Sequence, residues 1–209
     1  MTTMQSQSKA PFIYLASQSP RRSQLLDQIG VAHQILVADA TEAEAAEALE
    51  IALKNEAPLA YVKRVTALKL DAAVARMQQR GLPHAAVLCA DTTVAMGRKI
   101  YGKPETEKDA VRMLTELSGQ THRVLTSVAV AYGAKAKKRL QLVSESKVTF
   151  DILSKAQIAE YVASGEPMGK AGSYAVQGRA AMFIRHISGS YSGIMGLPLY
   201  ETAQLLKRL

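Results

Sequence analysis

The spacing of apolar residues changes along this chain, and each change marks an element. Phe12 to Ala16 is a short apolar run containing β-formers, which predicts a strand. Ser19-Pro20 then reads as a helix start, Leu25, Leu26 and Ile29 recur at helical spacing, and Gly30 stands where such a helix ends. Between Asp39 and Glu56 the chain is Ala/Glu-rich and predicts a solvated helix of high intrinsic propensity. Tyr61 to Arg80 carries a long helical pattern closed by Gly81 and Pro83. Ala85 to Ala90 is a continuous apolar run of strand length, which predicts a buried strand that stops at Asp91.

Further on, Thr106 and Asp109 form a capping pattern before a helix whose Ala110, Met113, Leu114 and Leu117 share a face, with Gly119 at its end. Val124 to Tyr132 and Leu140 to Ile152 predict two hairpin strands around Gly133. Ser154 and Gln157 mark another helix start, with Ile158, Tyr161 and Val162 on its buried side. Residues 165 to 198 are glycine-rich and predict loops and short strands, and Pro198 opens a terminal helix. There is no internal repeat and no Pro/Ser-rich linker. Interleaved strands and helices of this kind give an α/β chain with a mixed sheet.

Composition narrows the setting. The 209 residues are 48% hydrophobic and 21% charged, an ordinary globular balance that excludes a disordered chain. The formal charge is +8, which suits an anionic partner: a phosphate-bearing small molecule, a nucleic acid or an acidic membrane. Six acids (Asp39, Glu42, Glu44, Glu47, Glu50 and Glu56) fall in one stretch beside a single base, Lys54, so the remaining body is more basic still. Cys89 is the lone cysteine, so an intrachain disulfide is excluded and a reducing cytoplasm is expected. The first ten residues are polar, unlike a signal peptide or anchor, and no apolar run approaches the ~20 residues of a membrane span.

The most informative segment is Ser17-Gln18-Ser19-Pro20-Arg21-Arg22, which joins a strand to a helix where free N–H groups make an anion site. Arg21 and Arg22 lie in the first helical turn, where the helix dipole disfavours cations. That violation points to phosphate binding by Ser17, Ser19, Arg21 and Arg22; the plainer alternative is that both arginines reach solvent or a carboxylate. Asp91, followed by Thr92, is placed to hold a divalent metal or orient a water, or else simply to serve a turn. Gly97 to Lys103 imitates a phosphate-binding P-loop, but Pro104 supplies neither a hydroxyl nor an N–H, so that motif is rejected and Lys103 remains as a point charge. His33, His84, His122 and His186 lack ligand spacing, which argues against a His-built zinc site. Lys135, Lys137, Lys138 and Arg139 read as a solvated hairpin tip, and aromatics at 5% offer no stacking platform for nucleic acid.

As an ordered set, these segments resemble the Maf family of nucleoside triphosphate pyrophosphatases. The resemblance runs through Leu15 to Arg22, Ala90-Asp91-Thr92, Gly102-Lys103-Pro104, Leu117 to His122, Ser164 to Pro167, Lys170 to Tyr174, Gln177-Gly178 and Gly196 to Leu199. It implies a two-lobed α/β fold, shared with the inosine triphosphate pyrophosphatases, with an elongated mixed sheet and a central cleft. Residues 1–11 would be a flexible N-terminus and 12–209 one catalytic domain. The implied reaction is hydrolysis of a nucleoside triphosphate to the monophosphate and pyrophosphate with Mg²⁺ or Mn²⁺. By resemblance Asp91 is the catalytic carboxylate, as proton acceptor or metal holder, and Lys69 and Lys103 are cleft lysines. A glutamate at Glu42 or Glu44 would be the second acidic position, with Glu42 the expected metal ligand beside Asp91.

The family has a branch favouring dTTP and UTP and a sister branch favouring 7-methyl-GTP. Arg21, Thr92 and Gln177 resemble the first, and the Gln177 amide suits the N3–H and a carbonyl of uracil or thymine. Gln18 replaces a common glycine, and Leu68 and Leu70 flank Lys69 where the family usually has glutamate and alanine. The expectation is a cytoplasmic enzyme acting on dTTP, UTP and modified pyrimidine nucleotides, without nucleic-acid or membrane partners and with the homodimer common in the family. The rival readings are a 7-methyl-GTP or inosine/xanthosine triphosphate pyrophosphatase, a non-catalytic regulator of septum formation, and a nucleic-acid-binding protein motivated only by charge.

Overall fold

The computed structural model describes residues 12–209; the expectation of a flexible N-terminus at residues 1–11 lies outside them. In chain order the elements are β1 (Ile13–Leu15), α1 (Pro20–Gln28), β2 (His33–Ile35), α2 (Ala43–Ala48), α3 (Pro58–Gln79), β3 (Ala86–Met96), β4 (Lys99–Tyr101), α4 (Glu107–Leu117), β5 (Thr121–Tyr132), β6 (Lys138–Phe150), α5 (Lys155–Ala163), β7 (Ile184–Ser188), α6 (Tyr191–Met195) and α7 (Leu199–Leu206). The strands form one mixed sheet in the order β2-β1-β3-β5-β6-β7, with β4 also on β3. β1 is parallel to β2 and β3, and the other pairings are antiparallel. The expected α/β class and mixed sheet are therefore present.

Strand β3 organises the cleft because its two edges are paired differently. Along one edge it is paired with β5 from Val87 to Ala95. Along the other it is paired with β1 only to Leu88, and with β4 only from Val94. Between those contacts β3 has, among the described residues, no strand neighbour on that side, and the chain leaving β1 turns away through Ser17. Asp91 sits in this gap. The expected end of the strand at Asp91 is thus corrected: β3 continues to Met96, because β5 pairs with it throughout and β4 folds back onto it.

Alternation along β3 sends its residues to different helices. Val87 and Cys89 pack with Leu70, Ala73, Val74 and Met77 of α3. Leu88 and Ala90 pack with Leu25 and Leu26 of α1 and Leu205 of α7. By the same alternation Asp91 faces α3, and Thr92 faces α1. Helix α3 has a buried stripe through Val62, Val65, Thr66, Leu70, Ala73 and Met77, and Lys69 falls within it. Its first turn uses Pro58, slightly earlier than the pattern predicts.

The capping reading holds in detail. Thr106 Oγ1 accepts from the Asp109 N–H, and Ser154 forms a reciprocal box with Gln157. The Ala/Glu stretch departs from expectation: only the six residues of α2 are helical, and the chain from Leu49 to Ala57 is irregular. Contacts to α3 override propensity there. Tyr61 Oη donates to the Glu50 carbonyl at 2.8 Å, and Arg64 forks onto the Glu56 carboxylate, with both bonds at 2.7 Å.

A second core lies around α4 and α5 and contains His122. Its ring meets Phe150 and Tyr174 edge-on, and Nε2 lies 2.8 Å from Tyr174 Oη, while Nδ1 is buried without a partner among the described residues. Burial pushes the imidazole down to about 4. Below the ordinary value of 6.5 the unfolded chain takes up this proton first. His122 therefore contributes full stability above about pH 6.5, loses it as pH falls towards 4, and has nothing further to lose below that, a total of about 3 kcal/mol. Urea unfolding at pH 7.5 and 4.5 should show a loss about 2–3 kcal/mol larger in the wild type than in His122→Gln; equal losses would contradict this.

Candidate active site

The gap beside β3 opens into a cavity of about 550 Å³, within the size range of small-molecule sites. Its floor is Asp91, whose residue is only 8% exposed. Lys69 reaches it from the buried stripe of α3: Nζ donates to Asp91 Oδ1 and to Glu50 Oε1, both at 2.6 Å. Lys103, just beyond β4, donates from Nζ to Glu50 Oε2 at 2.8 Å. Asp91, Lys69, Glu50 and Lys103 therefore form one chain of alternating charge, and all four line the cavity. Burial alone would lower Lys69, but the two carboxylates outweigh it and hold the ammonium above its ordinary range. Burial would likewise raise Glu50, and Lys69 and Lys103 overcome it, holding the carboxyl below its ordinary value. Tyr61 beside them is pushed up to about 12, by burial first and then by the Asp91 and Glu50 charges.

The loop after β1 supplies a second wall. Ser17 Oγ accepts from the Ser19 N–H at 3.2 Å and from Arg22 Nη1 at 3.0 Å. Arg22 also donates from Nε to the Gly196 carbonyl at 2.7 Å and from Nη2 towards Thr92 Oγ1 at 3.5 Å. Thr92 shares a hydrogen bond with Thr126, which donates to the Gly193 carbonyl. Arg22 and Thr92 thus clamp the β1–α1 loop onto the sheet and the turn after α6. Among the described residues no side chain caps α1; Pro20 carries no N–H, and the Arg22 N–H already donates to the Ser19 carbonyl at 3.1 Å. Arg21 lines the cavity half-buried and, among the described residues, forms no hydrogen bond or ion pair. Burial and the Arg22 charge lower its pKa, against a smaller opposing effect of Glu166.

Two expected site residues stand elsewhere. Glu42 does not line the cavity: its Oε2 accepts from Arg76 Nε at 2.8 Å and from Arg80 Nη2 at 3.1 Å. Arg76 lies two helical turns past Lys69 on α3, so the later guanidiniums claim Glu42 while Lys69 claims Glu50. Glu44 is exposed. The carboxylate bonded to the cleft lysines is Glu50, and Glu42, expected beside Asp91, stands outside the cavity wall. Gln177 lies in an exposed turn outside the cavity wall, which its neighbour Val176 reaches. The remaining expected residues, Ser17, Ser19, Arg21, Arg22, Thr92, Lys69 and Lys103, all line the same cavity as Asp91.

The sequence alone does not distinguish Glu50 or Lys170 as site residues. Nothing in the acidic stretch separates Glu50 from its neighbours, since its partners come from α3 and the segment after β4. Lys69 carries a readable signal beyond resemblance, a lysine at a core-facing position of a long amphipathic helix.

A family model described as "Maf-like protein" matches residues 12–209, nearly the whole chain. The chain belongs to the Maf family. Among its Maf relatives is a protein of Albidiferax ferrireducens, 67% identical over 196 residues, covering 94% of this chain and 96% of the relative. One from a Polaromonas species is 63% identical over 198 residues, covering 95% and 96%. One from Cupriavidus metallidurans is 56% identical over 195 residues, covering 93% and 95%. All three bear the name dTTP/UTP pyrophosphatase. Among the described residues no helix is long and apolar enough to cross a membrane.

Proposed function

We propose that this Maf protein hydrolyses dTTP and UTP to the monophosphate and pyrophosphate in the cleft beside β3. The observation that carries the reading is the buried Asp91 carboxylate, held through Oδ1 by Lys69 in a nucleotide-sized cavity rich in cations. Among the described residues Asp91 Oδ2 has no hydrogen-bond partner, so it can accept a proton from a water. As that water attacks the α phosphorus, the bond from phosphorus to the α–β bridging oxygen breaks and pyrophosphate leaves. Fixed cations of the cavity offset the charge that develops on the leaving group. Lys69 orients the Asp91 carboxylate through Oδ1.

The donor chemistry fits a hard divalent cation. Asp91 and Glu50 are neighbouring carboxylates that share one ammonium, and among the described residues no cluster of three or more ligating side chains is present. Mg²⁺ is commonly held by one or two carboxylates together with substrate phosphates. Asp91 and Glu50 would hold Mg²⁺ or Mn²⁺ in that way, and the bound ion would polarise phosphoryl oxygens.

The names of the close relatives support the pyrimidine preference, and the apolar wall of Tyr174, Val176 and Ile194 suits a flat base. Gln177, one residue beyond that wall, is the candidate for reading the base edge. A cytoplasmic location agrees with such a substrate pool and with Cys89 as a buried free thiol.

The test is pyrophosphate release from a panel of dTTP, UTP, CTP, GTP, 7-methyl-GTP and ITP with Mg²⁺ or Mn²⁺, with phosphorus NMR of the products. The expected result is dTMP or UMP plus pyrophosphate, with kcat/KM for dTTP and UTP at least about tenfold above the rest. A preference for a purine triphosphate, inorganic phosphate as product, or no turnover of any nucleotide would overturn the reading.

A further inference from the structure

The cavity is lined by six cations, Arg21, Arg22, Lys69, Arg76, Lys103 and Lys170, and by two carboxylates, Asp91 and Glu50. Four of the six are accounted for within the protein. Lys69 and Lys103 bind Asp91 and Glu50, Arg76 binds Glu42, and Arg22 is spent on a carbonyl and two hydroxyls. Arg21 and Lys170 differ: among the described residues neither pairs with a carboxylate. Lys170 Nζ donates to two backbone carbonyls, Glu166 at 2.7 Å and Met168 at 3.3 Å. An ammonium has three donors, so one N–H remains.

The nearest acid, Glu166, is committed elsewhere. Its Oε1 accepts from Tyr161 Oη at 2.8 Å and its Oε2 from the Arg179 N–H at 3.0 Å. Lys170 is half-buried, and its pKa is lowered by burial first and then by Arg21. Two cations that repel one another in a partly desolvated cleft are unfavourable unless an anion joins them.

The backbone holds this arrangement rigidly. Gly172 N–H donates to the Gly102 carbonyl at 3.0 Å, which ties the Lys170 loop to the residue preceding Lys103. Gly172 has φ of +69°, and a Cβ there would meet both Val94 methyl groups at 2.9 Å. Ser173 follows with φ of +63°, a strained value for a residue with a side chain. The loop is pressed against β3 in a conformation that only specific contacts sustain, and it carries Lys170 on the cavity wall.

We propose that Lys170 and Arg21 form a polyphosphate subsite distinct from the Asp91–Lys69–Glu50–Lys103 chain, and that it holds the two terminal phosphates that leave as pyrophosphate. The inference rests on the proposed triphosphate hydrolysis and deepens it. The subsite sets the direction of the substrate, with the terminal phosphates at Arg21 and Lys170 and the α phosphorus at Asp91. Lys170 is a binding residue whose charge acts on the leaving group.

The experiment pairs steady-state kinetics with binding of inorganic tripolyphosphate followed by thermal shift, using the full chain and the variants Lys170→Met and Lys170→Arg. In Lys170→Met, KM for dTTP and the inhibition constant of pyrophosphate should both rise about 10- to 100-fold, and the tripolyphosphate-induced rise in Tm should vanish. Lys170→Arg should recover most of each. If Lys170→Met lowers Tm yet leaves KM, pyrophosphate inhibition and the tripolyphosphate shift unchanged, Lys170 merely clasps the Glu166–Met168 turn and the subsite is refuted. Absence of a tripolyphosphate shift in the wild type also refutes it. A shift present in the wild type and lost in Lys170→Met, in a protein that hydrolyses no nucleotide, would uphold the subsite and overturn the hydrolytic reading instead.

Discussion

Asp91→Asn should lower kcat on dTTP and UTP by about 10³-fold while leaving KM nearly unchanged. The substitution preserves shape but removes the acceptor for the water proton, and a positioned acid or base contributes about 10²–10⁴-fold. Binding is spared because the cations of the cleft remain in place. Folding should also survive. Lys69 loses one charged partner but keeps Glu50 at 2.6 Å, so its buried ammonium is not orphaned. A stability loss of about 1–2 kcal/mol is expected. Pre-steady-state and steady-state rates with an unchanged circular dichroism spectrum would check this. Full activity in Asp91→Asn would remove the carboxylate from the mechanism.

Glu50→Gln should be the next most damaging change, lowering kcat/KM about 10- to 100-fold. Glu50 accepts from Lys69 and Lys103 through its two oxygens, so it fixes both ammonium groups at once. A glutamine offers one carbonyl oxygen and two unwanted N–H donors in the same space. One lysine would lose its acceptor and meet a donor instead. If Glu50 also helps hold a divalent cation, the cation concentration giving half-maximal activity should rise in this variant. Titration of activity against Mg²⁺ and Mn²⁺ would read that out, and an unaltered cation requirement would leave Glu50 as an anchor for the lysines alone.

Much of the fold is visible in local pattern because its elements are locally determined. The stripe on α3, the capping contacts of Thr106 and Ser154, and the β5–β6 hairpin follow from periodicity and from residues a few positions apart. The site was legible where the loop chemistry is local, as in Ser17 to Arg22. It was not legible where partners come from distant segments. Strand β3 continues past Asp91 because β4 and β5 supply its neighbours, and no periodicity in Asp91-Thr92-Thr93 announces that. Glu42 and Glu50 stand in one uniform acidic stretch, and only the positions of Lys69 and Arg76 on α3 assign them. Gln177 is in the expected motif, but resemblance says nothing of the direction its turn gives it. Lys170 belongs to the Lys170 to Tyr174 motif, and only the seat of its loop on the cleft shows that, among the described residues, its ammonium meets carbonyls and no carboxylate.

On the proposed reading the working acids of this Maf protein are Asp91 and Glu50, joined through Lys69, and Glu42 only braces α3 through Arg76 and Arg80. The most direct measurement is kcat/KM for dTTP in Glu50→Gln and Glu42→Gln side by side, with Tm recorded for each. Glu50→Gln should lose most of its activity. Glu42→Gln should keep wild-type activity and instead show a lower Tm as Arg76 and Arg80 lose their shared carboxylate. Collapse of activity in Glu42→Gln, with Glu50→Gln untouched, would contradict it.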